Sequence, residues 1–182
     1  MYLVHGTRLD FAKKIIKDGA LKPAKDTGNI GQGEGIYEPS MQSFIFFNTT
    51  HNLFEKRIFD KVLFYFKSDF LINKSFYTAK MHSGNPAGLN KDKKKYPKNT
   101  KQYERVLKNL YTQSIKRLPG GKYFFVSQQV AIKNKLSGTN FKKNIVGIQF
   151  NNMQPSKTLL NYIKKEYPNV LVDIRFVDLK DI

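Results

Sequence analysis

Hydrophobic residues fall into short runs along this chain, and most runs have the length of a strand. Some are continuous, as in a strand buried on both faces, and others alternate with polar residues. Polar or glycine-containing segments separate them. The runs lie at 2–5, 44–47, 62–66, 123–132, 145–150 and 170–177. The pattern therefore predicts six strands distributed over the whole chain.

Helical spacing is less common. After the first strand, Asp10 is predicted to be an N-cap, Phe11, Ile15 and Ile16 form an apolar stripe, and Gly19 suits the left-handed residue that ends a helix. Three further helices are predicted at 51–59, at 101–117 before Gly120, and from a Ser156 cap to Glu166. Many strands and few helices, not in strict alternation, predict an α+β fold with a mostly antiparallel sheet.

The length of 182 residues fits a single domain spanning 1–182. Apolar residues are scarce between 79 and 101, and six lysines lie close together there: Lys91, Lys93, Lys94, Lys95, Lys98 and Lys101. We expect this stretch to be a basic, mobile insertion or surface loop.

The formal net charge is +18, from 32 basic and 14 acidic residues. This balance favours an acidic partner such as a nucleic acid, a nucleotide or an acidic protein. Because 27 of the basic residues are lysine, contacts with a nucleic acid would be made to its backbone rather than to base edges. An AT-rich genome would produce the same lysine bias without selection for binding, so both explanations stay open.

Several kinds of chemistry are excluded or disfavoured. The chain has no cysteine, which excludes disulfides and thiolate-bound zinc. His51 and His82 lack the spacing of a metal site, and the glycines between Gly31 and Gly35 do not match a GxGxxG fingerprint. No apolar run is long enough for a membrane span and no signal peptide is visible, so we expect an intracellular protein without a metal.

Two short motifs carry the most specific chemical information. The first strand ends in His5-Gly6-Thr7-Arg8, and a glycine-rich segment ends in Gly33-Glu34-Gly35-Ile36-Tyr37. Together they would supply an imidazole, accessible backbone amides and an aromatic face to one cleft. Such groups suit a flat ring that carries an amide.

This arrangement resembles the ADP-ribosyltransferases of the diphtheria-toxin and poly(ADP-ribose) polymerase type. In that family a strand ends in His-Gly-Thr or His-Gly-Ser, a helix closed by Gly-Leu follows, and Gly-x-Gly-Ile-Tyr comes next. The segment Ile15–Pro23 looks like the intervening part, and the resemblance covers about residues 2–47. It implies a split antiparallel β-sheet core with flanking helices, and NAD as substrate in the cleft.

The resemblance also implies roles for individual residues. His5 would bind the adenine-side ribose of NAD, the Gly6 backbone would bind the nicotinamide carboxamide, and Tyr37 would stack on the nicotinamide ring. Thr7 would support the strand end, and Arg8 would meet the dinucleotide or lie in solvent. Ser43 and Phe46 match a later Ser-x-x-aromatic element, with Ser40 as an alternative to Ser43.

The third element of the family departs from its pattern in this chain. Many members carry a glutamate on a later strand, where it binds the ribose 2′-hydroxyl and stabilises a cation-like transition state. Here the counterpart is Gln129, or Gln128 as the alternative. A glutamine can bind the hydroxyl but supplies no negative charge. Glu34 and Glu38 are candidates for a substitute acid, and solvated loop carboxylates are the other interpretation of both.

Three functions follow from these residues. The first is an NAD-dependent mono-ADP-ribosyltransferase-like domain with His5, Tyr37 and Gln129 in the catalytic positions. The second is a catalytically inactive module that binds ADP-ribose, NAD or nucleic acid on the same fold. The third is an enzyme that processes RNA or a cyclic nucleotide with His5 as acid or base. Release of nicotinamide would distinguish the first from the other two.

Overall fold

The computed structural model describes the backbone of residues 1–27, 42–54, 62–71, 75–82, 85–89, 94–95, 114–117, 123–126 and 128–176. The strands in these ranges are β1 Tyr2–Thr7, β2 Ala20–Leu21, β3 Ile45–Thr50, β4 Val62–Lys67, β5 Ser75–His82, β6 Asn85–Leu89, β7 Lys94–Lys95, β8 Ser114–Arg117, β9 Tyr123–Val126, β10 Gln128–Ile132, β11 Leu136–Ser137, β12 Ile145–Asn151 and β13 Leu171–Arg175. The α-helices are α1 Leu9–Asp18, α2 Gly138–Asn144 and α3 Lys157–Glu166. Short 3-10 turns lie at Ala24–Asp26 and Ser68–Leu71.

The chain forms two compact units. The first unit comprises Met1–Leu21, Thr50–Ser68 and Leu136–Ile182, and the second comprises Lys22–Thr49 and Asp69–Lys135. Strands dominate both units and most pairs are antiparallel, as the sequence pattern predicts. The fold class is α+β, with a sheet core and flanking helices.

In the first unit the strand order is β13-β12-β4-β1. Strand β4 pairs antiparallel with both β1 and β12, and β12 pairs parallel with β13. Residues 62–66 of β4 are all buried, which explains their continuous apolar sequence, because a strand covered on both faces has no solvent side. A separate two-stranded ladder joins β2 to β11.

One face of this sheet packs against the helices through aromatic rings. The ring of Phe66 lies 5.5 Å from that of Phe141 in α2, and Phe141 lies 6.1 Å from Tyr167 at the end of α3. The Tyr167 hydroxyl donates a hydrogen bond of 2.5 Å to the Ile16 carbonyl oxygen in α1. Burial raises the pKa of this hydroxyl to about 12, so it stays a neutral donor at physiological pH. The aromatic contacts and this hydrogen bond thus connect the three helices to β4.

The opposite face is covered by a turn after β3. Leu53 and Phe54 pack against Val4, Leu63 and Tyr65. The Phe54 ring also covers β12, where a side chain at Gly147 would come within 2.8 Å of it. A larger residue at Gly147 would therefore displace the ring.

A buried hydrogen bond lies within this second face. The Tyr65 hydroxyl donates to Gln149 Oε1 at 2.6 Å, and neither side chain is exposed. Gln149 Nε2 has no hydrogen-bond partner in the part of the chain that the structure describes. The pair thus carries one satisfied acceptor and one buried donor whose desolvation is not compensated.

Tyr65→Phe is expected to lower the free energy of unfolding by about 1–3 kcal/mol, because it leaves Gln149 Oε1 buried without a donor. The double variant Tyr65→Phe/Gln149→Met is expected to be close to wild type, since both polar groups are then removed. Urea unfolding of wild type, Tyr65→Phe, Gln149→Met and the double variant measures the effect. A double variant that loses the sum of the two single losses would contradict this account.

In the second unit the strand order is β3-β10-β5-β6, with β7 also paired to β5, and every pair is antiparallel. Phe47, Phe76 and Val130 are fully buried, and the Phe47 ring lies 5.7 Å from that of Phe70. They form the core of this unit. Strands β8 and β9 pair as a separate antiparallel ladder.

The structure corrects several predicted elements. Ser114–Arg117 is a strand, not the end of a helix over 101–117, because its partner is Tyr123–Val126 across a glycine-containing connection. The run 123–132 is divided between two ladders, as β9 and β10. Part of the expected loop at 79–101 is strand, namely β6, β7 and the end of β5. The rest of the predicted helix at 101–117 lies outside the described residues, and the insertion's mobility and the single-domain organisation stay predictions.

The helix boundaries are close to those predicted. Gly19 has the left-handed φ of 56° and its N–H donates to the Ile15 carbonyl. Ser156 caps α3 by accepting a hydrogen bond from the Leu159 N–H at 3.2 Å. The N-cap of α1 is Arg8 rather than Asp10, because the Arg8 carbonyl already accepts the first helical hydrogen bond, from the Ala12 N–H at 2.9 Å. The predicted helix at 51–59 is wrong at its start, where residues 51–54 form a turn, and 55–59 lie outside the described part.

Candidate nucleotide site

The residues of the first motif occupy the end of β1 and its connection to α1. His5, Gly6 and Thr7 are the last three residues of β1, and Arg8 follows with an extended backbone before α1 begins. The register places His5 opposite Phe64 and Gly6 opposite Leu63. Because neighbouring strand residues alternate, His5 and Gly6 lie on opposite faces of the sheet.

Arg8 is held in place by its neighbours. Its guanidinium contacts the Asp10 carboxylate through two nitrogens, at 3.3 and 2.7 Å, and lies 5.4 Å from the centre of the Phe11 ring. The hydrogen bond from Arg8 lowers the pKa of Asp10. Both side chains are more than half exposed, so this pair orients the guanidinium and adds little to stability. An anion at this junction would meet an oriented cation next to the start of a helix.

The second unit contains three of the predicted site residues. Ser43 lies just before β3, Phe46 lies within β3, and both are half-buried. Gln129 lies in β10, directly opposite Asn48 of β3. By strand alternation, Asn48 shares a sheet face with Phe46.

Aromatic residues gather on this same face. The Phe44 ring lies 5.1 Å from Tyr77 with an edge-on geometry and 6.4 Å from Phe46. Tyr77 and Phe46 both pair with Ala131 of β10. Half-exposed rings next to polar residues are suited to hold a planar ligand. Asn48 and Tyr77 were missed by sequence reasoning, since only strand register relates them to Phe46 and β10.

The structure thus groups the predicted residues into two sets. His5, Gly6, Thr7 and Arg8 are consecutive in the first unit, whereas Ser43, Phe46 and Gln129 share the second unit. Tyr37, together with Glu34, Glu38 and Ser40, lies outside the described residues. Among the residues that the structure describes, no cluster of three histidines or carboxylates could hold a metal ion. Within the same ranges, no helix is long and apolar enough to cross a membrane.

The chain is similar in structure to DarT, an ADP-ribosyltransferase from Thermus sp. 2.9, in its complex with carba-NAD+. The two proteins are 13% identical, the TM-score is 0.51, and the similarity covers 96% of this chain and 95% of that chain. No family model matches the sequence, and a search of curated proteins found no match. The fold of this chain is therefore the ADP-ribosyltransferase fold. At this identity the similarity establishes the fold and leaves the roles of individual residues to direct tests.

Proposed function

We propose that this protein binds NAD and acts as a mono-ADP-ribosyltransferase. Nicotinamide leaves the ribose, and the ADP-ribosyl group passes to an acceptor. One observation carries the proposal: His5-Gly6-Thr7-Arg8 ends a strand and leads into α1 on a fold shared with a protein solved with an NAD analogue. The groups present at this junction and on β3 are of the kinds that suit ribose hydroxyls, a diphosphate and an aromatic amide.

The proposed roles follow the resemblance in sequence. His5 binds the adenine-side ribose and the Gly6 backbone binds the nicotinamide carboxamide. Tyr37 stacks on the nicotinamide ring, and Ser43 and Phe46 line the same region. Thr7 supports the strand end, and Arg8 offers its oriented guanidinium to the dinucleotide. No metal takes part in this scheme.

Gln129 takes the position that meets the ribose 2′-hydroxyl. Its amide binds that hydroxyl but does not stabilise a developing positive charge as a carboxylate would. This difference favours a second candidate function, a non-catalytic module that binds NAD or ADP-ribose. The two functions differ in one measurable product, since only the transferase releases nicotinamide.

The acceptor proposed here is a polyanion, either a nucleic acid or an acidic protein. Its recognition would use the basic surface, given the net charge of +18. A neutral acceptor would not require a basic surface, so the net charge favours a polyanionic acceptor.

NAD is expected to raise the melting temperature. A ligand that binds only the folded state stabilises it by about 2.7 kcal/mol at 100 times its dissociation constant. For a chain of 182 residues this corresponds to a shift of roughly 5–10 °C. Thermal unfolding with and without millimolar NAD measures it. Folded protein that shows no shift would refute the proposed function.

Two variants locate the site within that experiment. His5→Ala and Tyr37→Ala should each weaken NAD binding, the first by loss of a ribose hydrogen bond of about 0.5–1.5 kcal/mol and the second by loss of a stacking surface. His51→Ala is the matched control, since His51 is exposed in the turn after β3, and it should bind NAD like wild type. If all three variants bind NAD with the affinity of wild type, the site is elsewhere.

A further inference from the structure

Strand β13 lies at the end of the strand order in the first unit. Within the described strands it has a single neighbour, β12, with which it pairs in parallel. The Arg175 carbonyl accepts a hydrogen bond of 2.7 Å from the N–H of Asn152, the residue that follows β12. Successive residues of a strand direct their backbone groups to opposite sides, so the N–H and C=O groups of Val172 and Ile174 point away from β12. These groups form an edge to which a further strand can be added.

Apolar side chains are exposed along this edge. Leu171, Val172 and Phe176 are 58%, 39% and 68% exposed. Strand alternation places Val172 and Ile174 on one face of the sheet, and Phe176 is the next residue in the same series. Exposed apolar side chains concentrated at a sheet edge are typical of a surface that contacts another protein chain.

Two charged residues alternate with these apolar ones. Asp173 and Arg175 share the opposite face, where Arg175 Nε lies 2.6 Å from Asp173 Oδ2. Their side chains remain 25% and 34% exposed. Charged residues on an edge strand usually hinder pairing with another strand. Here, however, opposite charges lie at equal distances on the two sides of Ile174, so the strand is complementary to its own sequence read in reverse.

We propose that β13 pairs antiparallel with β13 of a second copy of this chain, about a twofold axis at Ile174. In this register Asp173 lies opposite Arg175 of the partner subunit, and Val172 lies opposite Phe176 of the partner subunit. Because the backbone groups of Ile174 point outward, the two Ile174 residues exchange both hydrogen bonds. The two sheets become continuous, and the interface carries two ion pairs on one face and apolar contacts on the other.

Other registers fit less well. A twofold axis at Asp173 or at Arg175 would place two like charges directly opposite each other, which is destabilising. An axis at Val172 would place Asp173 opposite Leu171 and leave it without an opposite charge across the interface. Charge complementarity therefore favours a second copy as the occupant and Ile174 as the centre. This dimer does not depend on NAD binding.

Sedimentation of the full chain from micromolar to millimolar concentration tests the proposal. Wild type should dimerise as its concentration rises. Asp173→Arg and Arg175→Asp should each weaken the dimer by roughly 10- to 100-fold, since two favourable pairs across the interface become two unfavourable ones. Asp26→Arg is the matched control for net charge, because Asp26 is exposed in the second unit, and it should dimerise like wild type. A wild type that stays monomeric, or unchanged affinity in either β13 variant, would overturn the proposal.

An equimolar mixture of the two β13 variants tests the register. One chain then carries two arginines at positions 173 and 175 and the other carries two aspartates, so every arginine faces an aspartate. The mixture should form a heterodimer with about the affinity of the wild-type dimer, although each variant alone is weakened. A mixture no more dimeric than the separate variants would overturn this register.

Amide hydrogen exchange of wild type gives a measurement that needs no variant. The Ile174 N–H points to the open edge, so it should exchange more slowly at high than at low protein concentration. The Asp173 N–H points towards β12 and serves as the internal control, with protection at both concentrations. Exchange of the Ile174 N–H that is independent of concentration would overturn the proposal.

Discussion

Replacing Gln129 by glutamate is expected to accelerate nicotinamide release by about 10- to 1,000-fold. The bond between nicotinamide and ribose breaks with positive charge developing on the sugar. In the proposed site a carboxylate at position 129 would face that charge, and fixed groups that match transition-state charge contribute on the order of a few kcal/mol. The variant keeps an acceptor for the ribose hydroxyl, so NAD affinity should change much less than the rate.

Gln128→Glu is the matched control for this experiment. Gln128 is the adjacent residue of β10 and pairs with Lys80 rather than Ala79, so the two variants carry the same carboxylate at neighbouring register positions of one strand. Nicotinamide release is followed by chromatography under single-turnover conditions at saturating NAD. An unchanged rate in a folded, NAD-binding Gln129→Glu variant would show that Gln129 does not occupy the acid position. Acceleration in Gln128→Glu alone would assign that position to its neighbour.

The elements that could be predicted from the sequence are those with a strong local signal. Strand β4 is predicted by a continuous apolar run, and the end of α1 is predicted by Gly19, whose left-handed backbone suits glycine. The N-cap of α3 is a serine, and its side chain makes the expected hydrogen bond. In each of these cases the cause of the structure lies within a few residues of chain.

The elements that were missed depend on distant partners. The short strand β2 forms because Ala20 and Leu21 pair with β11, more than a hundred residues later. Ser114–Arg117 has an ambiguous sequence, and pairing with β9 decides that it is a strand. Strands β5 and β6 contain polar, small and proline residues, yet they extend the sheet from β10. Neither the spacing of hydrophobic residues in a segment nor its strand propensity shows which distant strand it pairs with.

The same distinction applies to the candidate site. His5, Gly6, Thr7 and Arg8 are consecutive, so a local motif was enough to identify them. Asn48 carries no motif and becomes a candidate only through its register with Gln129. Residues that a neighbouring strand brings to the candidate site are therefore the part that needs the sheet topology.

Phe141→Ala is expected to cause the largest loss of stability, about 3–5 kcal/mol. Phe141 is fully buried and is the single buried residue of α2. It contacts Phe66 of β4 and Tyr167 at the end of α3. Its removal leaves a cavity between the sheet and two helices, and α2 is too short to be stable without tertiary contacts.

Chemical unfolding of Phe141→Ala, compared with Lys143→Ala, measures this loss. Lys143 is an exposed residue of the same helix, and its replacement should change the free energy of unfolding by less than about 0.5 kcal/mol. Phe66, which contacts Phe141, also pairs with Leu3 of β1. The part of the core that this variant disrupts therefore supports the strand that ends in His5 and Gly6. NAD at about 100 times its dissociation constant should raise the free energy of unfolding of wild type and variant alike by roughly 2.7 kcal/mol, if the variant's folded state keeps its NAD affinity. A loss below about 1 kcal/mol would show that α2 does not depend on Phe141 for its attachment to β4.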